Sequence, residues 1–270
     1  LSGERVVIVT GAASGLGKAM ATALLAAGHR VVALGRRQAA LDAFVRESDE
    51  AHGAGRALGV TGSVRSGDDC ACAVRRTLEA FGRIDGLVNN AGVHLPTEGA
   101  RPKFYELTED DWVSIVDTHL NGAFRMTRAV VPHLIERGWG RIVNHETSYD
   151  TMHRPGFTPY GAAKAGVEIV TAAWAQELEG TGVTVNAILP GGVANVARIS
   201  AGAYPDRGKL VQPEALGPPI VWLMSGEADT FTGRRVTARL WNPQASLEEN
   251  LGRATAHAGW LTPPSTTSLR

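Results

Sequence analysis

The chain predicts a doubly wound α/β fold, a seven-stranded parallel sheet with helices on both faces. Three observations predict it. Short apolar runs alternate with helical patterns along most of the sequence; the first run feeds directly into a glycine loop that opens a helix; and 44% hydrophobic content in 270 residues is enough core for one large domain. Parallel strands joined this way need right-handed crossovers, and ligands then sit beyond the carboxyl ends of the strands, where the strand order reverses.

The elements follow in order. Arg5, Val6, Val7, Ile8 and Val9 read as a strand, and Thr10-Gly11-Ala12-Ala13-Ser14-Gly15-Leu16-Gly17 as the loop after it. The helix opening there carries Leu16, Met20, Ala23, Leu24 and Ala27 at spacings of three and four and stops at Gly28. A strand over 29–34 precedes a helix over 38–51, and a short strand over 57–60 precedes an amphipathic helix over 68–81 that Gly82 closes. A strand over 86–89 leads to a long helix from about 109 to 135, and a strand over 141–145 to a second long helix from about 158 to 179. Strands over 183–188 and 235–240 complete the set. Residues 1–242 form one domain on this reading. Two stretches, 93–107 and 191–211, lack periodicity, and loops of that length in a compact domain serve as lids or binding walls. Residues 243–270 are an irregular tail with Trp260, Pro263 and Pro264; it is either a disordered terminus or a segment whose Trp260 docks over the active site or on a neighbouring subunit.

Composition excludes several function classes. With 27 basic against 27 acidic residues and no long basic run, the chain has no electrostatic footprint for nucleic acid or an anionic membrane. No apolar stretch approaches the roughly 20 residues of a membrane helix, and no signal-peptide layout opens the chain, so a cytoplasmic location is expected. Cys70 and Cys72 lie on one helix with no ligand set beside them, which supports neither a disulfide framework nor a metal site. The expected partner is a small molecule.

The loop at 10–17 is a phosphate cradle by its chemistry. Backbone approaches phosphate oxygens closely where side chains are absent, and the exposed N–H groups and dipole of a helix start favour the anion. Tyr160 and Lys164 supply reaction chemistry. Four residues apart near a helix start, they share a face, and chance places such a pair only about 0.06 times in a chain of this composition. A tyrosine with a pKa of about 10 works as acid or base only when brought toward neutrality, roughly 4 kcal/mol of differential stabilisation, which a neighbouring ammonium helps supply.

These motifs, with Asn89-Asn90-Ala91-Gly92 after the fourth strand and Asn186 with Pro190-Gly191 after the sixth, resemble the short-chain dehydrogenase/reductase family over about residues 4–242. The resemblance implies a Rossmann fold and an oxidoreductase that moves hydride between a nicotinamide and a carbonyl carbon. Tyr160 would be the acid/base, and Lys164 would hold the cofactor ribose and favour the phenolate. Gly11, Ser14, Gly15, Leu16 and Gly17 would cradle phosphate, Asn90, Ala91 and Gly92 would line the cleft, and Pro190, Gly191 and Val193 would reach the carboxamide. Relatives commonly assemble through the two long helices, so a homodimer or homotetramer is expected.

Three positions depart from the family pattern. Where a serine hydroxyl is usual stands Thr147, thirteen residues before Tyr160, with Ser148 as competitor should a one-residue bulge exchange them. His119 replaces the usual asparagine; it either supports a water chain through its main chain or fills a helix kink without a proton role. Asn195 replaces a carboxamide-binding threonine.

Cofactor choice turns on the end of the second strand, where a carboxylate would select NAD. Gly35 stands there, followed by Arg36 and Arg37, whose guanidinium forks suit a 2′-phosphate, so NADP(H) is preferred and NAD(H) is the alternative. Ser63 and Val64 would flank the adenine, Ser63 standing where the family commonly has Asp. The leading reading is an NADP(H)-dependent interconversion of a ketone and a secondary alcohol. The alternatives are a 3-oxoacyl-thioester reductase, with Arg125 and Arg128 meeting a phosphopantetheine or carrier, and a non-catalytic nucleotide-binding regulator. Among the other polar residues near the expected site (His94, Glu146, Tyr149, Asp150, His153, Arg154 and Arg198), an inward-facing Glu146 would need to pair with His145, His153 or substrate.

Overall fold

In a computed structural model, residues 3–95, 101–197, 199, 204 and 206–260 are described. Arg198, Pro263, Pro264 and parts of both long loops lie outside them. The strands are β1 (Val6–Thr10), β2 (Arg30–Gly35), β3 (Ala57–Thr61), β4 (Gly86–Asn89), β5 (Gly140–His145), β6 (Val183–Leu189), β7 (Arg234–Thr237) and β8 (Thr255–His257). They form one sheet in the order β3-β2-β1-β4-β5-β6-β7-β8, parallel throughout except for β8, which runs antiparallel to β7. The order reverses between β1 and β4, and the cleft described below opens there, at the carboxyl ends of the strands.

Strand periodicity explains the two cores. Val7 and Val9 of β1, with Val31 and Ala33 of β2, face a cluster that includes Met20, Leu24, Phe44 and Ile220. Ile8, Val32 and Leu34 face the other cluster, with Val74, Met126, Val130 and Leu134. Alternate residues therefore bury on opposite faces, each large side chain contributing on the order of 2 kcal/mol, and both faces need helices to cover them. The first cluster is covered by α1 (Gly15–Ala26), α2 (Gln38–His52) and, later in the chain, α8 (Gly217–Leu223); the second by α3 (Gly67–Phe81), α5 (Gly122–Glu136) and α7 (Tyr160–Glu177), preceded by a short α6 (Tyr149–Met152). Ser66 starts α3 by accepting from Asp69 N at 3.1 Å, and Gly82, at φ +72°, ends it.

Three expectations need correction. The long helix over 109–135 is divided into α4 (Glu109–Val116), a π-type turn at Asp117–Asn121 and α5. The sheet has an eighth strand beyond the seven expected. The tail is not irregular up to residue 260: it folds into α9 (Leu247–Ala254) and β8. Ser246 and Glu249 close a capping box that starts α9, with Ser246 N 2.8 Å from the Glu249 carboxylate and Glu249 N 3.2 Å from the serine hydroxyl. Among the described residues no helix is long and apolar enough to cross a membrane, and no group of three or more His, Cys, Asp or Glu side chains is placed to hold a metal ion.

Candidate active site

A polar ladder fixes the strand ends beneath the cleft. Asn89 Nδ2 donates to Thr127 Oγ1 at 3.0 Å and to Asn144 Oδ1 at 2.9 Å, and Asn144 Nδ2 donates to Thr171 Oγ1 at 2.8 Å. All four residues are buried, so each bond lost would leave a partner unsatisfied in the core. The next residue locks the glycine loop: Asn90 N and Ala91 N both donate to Thr10 Oγ1 at 2.9 Å, and Asn90 Nδ2 donates to Thr10 O at 2.9 Å. Gly17 is obligatory at this closure, because a Cβ there would collide with Gly11 O and the Asn90 amide.

The cleft has two connected parts. The first, about 210 Å³, is lined by Gly11, Ser14, Arg36, Arg37, Ser63, Val64, Arg65, Ala91 and Gly92, among others. Ser14 occupies the N-cap of α1 without bonding the helix; its Oγ lies 3.5 Å from Arg37 Nη2 instead. Arg65, which the sequence reading missed, is steadied by Asp117 Oδ2 at 3.1 Å, so three guanidinium groups meet at this end. Ser63 shapes the turn that presents Arg65, donating N–H to Asp69 Oδ2 at 2.8 Å and accepting from Arg65 N at 3.2 Å.

The second part, about 430 Å³, shares Gly11, Ser14, Arg37 and Gly92 with the first and adds Gly15, Leu16, Gly17, Asn90, His94, His119, His145, Tyr160, Val196 and Ala197. Tyr160 opens α7, and its ring lies 5.2 Å from those of both His94 and His119, the latter edge-on at 88°. The π-type turn delivers His119 here, 6% exposed, with Nε2 2.8 Å from Val93 O. Gly92 leaves the space for that ring, since a Cβ at 92 would strike it. His119 thus sits at a helix irregularity and also against Tyr160. His94 was expected near the site from its strand-end position and His145 only as a partner for Glu146; both line the cleft, and nothing in their spacing marks them for it.

Lys164 lies one turn along α7 with Nζ 6.0 Å from the Tyr160 ring centroid, and it donates to His145 O. It is 4% exposed, and burial lowers its ammonium from the usual lysine value while Glu146 and Glu168 oppose the drop. Glu146 does face inward, fully enclosed. Its Oε2 accepts from Thr147 N at 3.1 Å, and the charges acting on it are those of Lys164, Glu168 and Arg235; of the partners expected for it, His153 needs correction. His153 instead lies on the surface 3.8 Å from Asp150. Desolvation pushes the Glu146 carboxyl up to about 8, with Glu168 adding to the rise and Lys164 and Arg235 opposing it.

The competing hydroxyls differ in commitment. Ser148 Oγ lies 2.9 Å from Thr151 Oγ1, while the Thr147 hydroxyl makes no hydrogen bond among the described residues. The wall after β6 departs from expectation. Pro190 and Gly191, the latter at φ +83°, turn the chain out of the sheet, and Val193 O accepts from Val211 N at 2.9 Å. Asn195 is drawn away from the cleft, its Nδ2 donating to Gln212 Oε1 and its Oδ1 accepting from Arg207 Nε, both at 2.7 Å, and Val196 and Ala197 line the cleft instead.

The strand, the glycine loop and the helix start that frame this cleft belong to a fold shared with known proteins. The family model described as short chain dehydrogenase matches residues 5–203. The chain belongs to this family. As a short chain dehydrogenase it is an oxidoreductase acting on carbonyl and alcohol groups, and its family uses nicotinamide cofactors. It is 37% identical over 249 residues to a 3-oxoacyl-[acyl-carrier-protein] reductase of Synechocystis sp., covering 90% of this chain and 96% of that one. It is 34% identical over 247 residues to an acetoacetyl-CoA reductase of Shinella zoogloeoides, with 87% and 97% covered. Among solved structures, a variant of actinorhodin polyketide ketoreductase with NADPH superposes at a TM-score of 0.75, with 34% identity and 85% and 93% of the two chains covered. The short chain dehydrogenase cleft fits a dinucleotide on its own evidence, because the backbone at Gly11 and Gly17 is bare and the guanidinium groups converge at one end.

Proposed function

We propose that the chain is an NADP(H)-dependent oxidoreductase that interconverts a ketone and a secondary alcohol, with Tyr160 as general acid/base. The observation that carries this is the continuity of one cleft, with Arg36, Arg37 and Arg65 at one end and Tyr160, backed by Lys164, at the other. The arginines favour a 2′-phosphate over the bare hydroxyl of NAD(H). Gly11, Ser14, Gly15, Leu16 and Gly17 would hold the pyrophosphate, with Val64, Asn90, Ala91, Gly92, Pro190, Gly191 and Val193 shaping the rest of the binding path. The bound nicotinamide supplies or accepts the hydride at the carbonyl carbon. Tyr160 gives its proton to the carbonyl oxygen as the alcohol forms and takes it back in the reverse direction. Lys164 stabilises the phenolate left behind, and Thr147 donates to the substrate oxygen, Ser148 being held by Thr151.

A second reading, that the ketone is a 3-oxoacyl thioester, is supported by the names of the relatives, which act on acyl-carrier-protein and CoA thioesters. Arg125 lends it no help, since its guanidinium pairs with Asp117 at 2.8 Å; Arg128 remains exposed on α5. Following NADPH oxidation at 340 nm with ethyl acetoacetate and with acetoacetyl-CoA, beside Tyr160→Phe, tests both. Consumption that vanishes in the variant supports the reductase, and the preferred substrate separates the readings; NADPH binding without consumption on either would reject both. A homodimer or homotetramer across α4, α5 and α7 is supported by half-exposed Trp112, Phe124 and Ile169, and sedimentation velocity checks it.

A further inference from the structure

The tail reaches back to the catalytic helix. Glu168 stands one turn beyond Lys164 on α7 and is fully enclosed, so its carboxylate needs several donors. Three elements meet its Oε1: the Tyr149 hydroxyl donates at 3.1 Å, Gly259 N, just past β8, donates at 3.1 Å, and the Arg235 guanidinium pairs with it at 3.3 Å. Arg235, itself buried, donates from Nη2 to Thr147 O at 2.9 Å and lies 3.8 Å over the Tyr149 ring. Trp260 packs against the same ring, with centroids 5.3 Å apart.

A tail that only lengthened the sheet would end at His257. Here Ala258 N donates to Gly233 O at 2.9 Å, and Gly259 and Trp260 take φ values of +79° and +55°, hooking the chain inward. A tryptophan in the left-handed region is uncommon, and here its ring lies against Tyr149. Arg235, which also stacks on that ring, reaches Thr147.

We propose that residues 255–260 form a clasp that sets the Thr147–Tyr149 segment for substrate, with Arg235 and Glu168 as positioning residues. The proposal rests on the reading of Thr147 as the substrate hydroxyl. Neither Trp260 nor Glu168 lines the cleft, so the clasp acts through the Thr147–Tyr149 segment and not by direct contact with the cofactor.

Trp260→Ala tests it, since that side chain is half-exposed and its loss leaves the core intact; Trp260→Phe is the conservative rescue. Hydrogen exchange of the peptide covering 147–152 is read by mass spectrometry, with KM and kcat for ethyl acetoacetate and acetoacetyl-CoA at saturating NADPH. In Trp260→Ala, exchange over 147–152 rises about five-fold or more while α1 and β1 are unchanged, KM for the ketone that is turned over rises by a similar factor with NADPH affinity unaltered, and Trp260→Phe restores both. Unchanged exchange over 147–152, or a rise spread over the whole chain, overturns the clasp. A wild-type protein that turns over neither ketone defeats the functional reading and with it the substrate role, while the exchange measurement still decides whether the tail holds the segment.

Discussion

Replacing Glu146 by Gln should stabilise the protein, and increasingly so as pH rises. The carboxyl is fully enclosed, and desolvation takes it from its ordinary 4.5 to about 8. A carboxyl whose folded value lies above its unfolded one contributes its full stability below the unfolded value and loses it as pH rises through the folded value. Here the window runs from about pH 4.5 to 8, and at about 1.4 kcal/mol per pH unit the loss reaches on the order of 5 kcal/mol. Glutamine is isosteric, neutral at every pH, and keeps an oxygen to accept from Thr147 N. Urea unfolding of both proteins at pH 5, 7 and 9 measures the difference: the two should be close at pH 5, and the variant should be the more stable by several kcal/mol at pH 9. Parallel stability curves, with a constant offset at all three pH values, would refute the reasoning, because they would mean that Glu146 carries the same charge folded and unfolded.

Other outcomes follow from the same geometry. Tyr160→Phe should retain NADPH binding, read by fluorescence, and lose roughly 10²–10⁴-fold in kcat. Arg37→Ala, by removing a charged donor beside Ser14, should weaken NADPH about ten-fold or more and leave NADH within about two-fold, as isothermal titration would report. Gly17→Ala should abolish cofactor binding and lower Tm, since its Cβ has no room against Gly11 O and the Asn90 amide. Asn144→Leu should cost about 1–3 kcal/mol in urea unfolding, because Asn89 and Thr171 lose a buried partner together.

Much of this molecule was legible in local pattern. The seven parallel strands and the glycine loop announce themselves because alternation, helical spacing and turn glycines are local signals, and Tyr160 and Lys164 because a four-residue spacing is a helix face. What escaped depends on contacts distant in sequence. The division of the helix at 117–121 comes from the turn that puts His119 against Tyr160 and Gly92, which no periodicity in that segment betrays. Arg65 enters the cofactor end because Asp117, 52 residues away, holds it. Asn195 is drawn off by Arg207 and Gln212, partners that lie further along an irregular loop. Two signals were available. Ser246 three residues before Glu249 is a capping box, and it marks α9. Glu168 continues the Tyr160, Lys164 stripe by one more turn, placing a third polar residue on the face that was already assigned to chemistry.

That stripe also bears on the enclosed carboxyl of Glu146. An enclosed ammonium sheds its proton unless opposite charge is near, and Lys164 is enclosed. Glu168 opposes that loss, and Glu146 does so to the extent that it is ionised. Desolvation pushes the Glu146 carboxyl up to about 8, toward its neutral form, and a neutral carboxyl takes less from the positive charge behind Tyr160 than a carboxylate would. A phenolate gains from positive charge behind it, so a glutamate buried deeply enough to favour its neutral form is compatible with the acid/base role proposed for Tyr160.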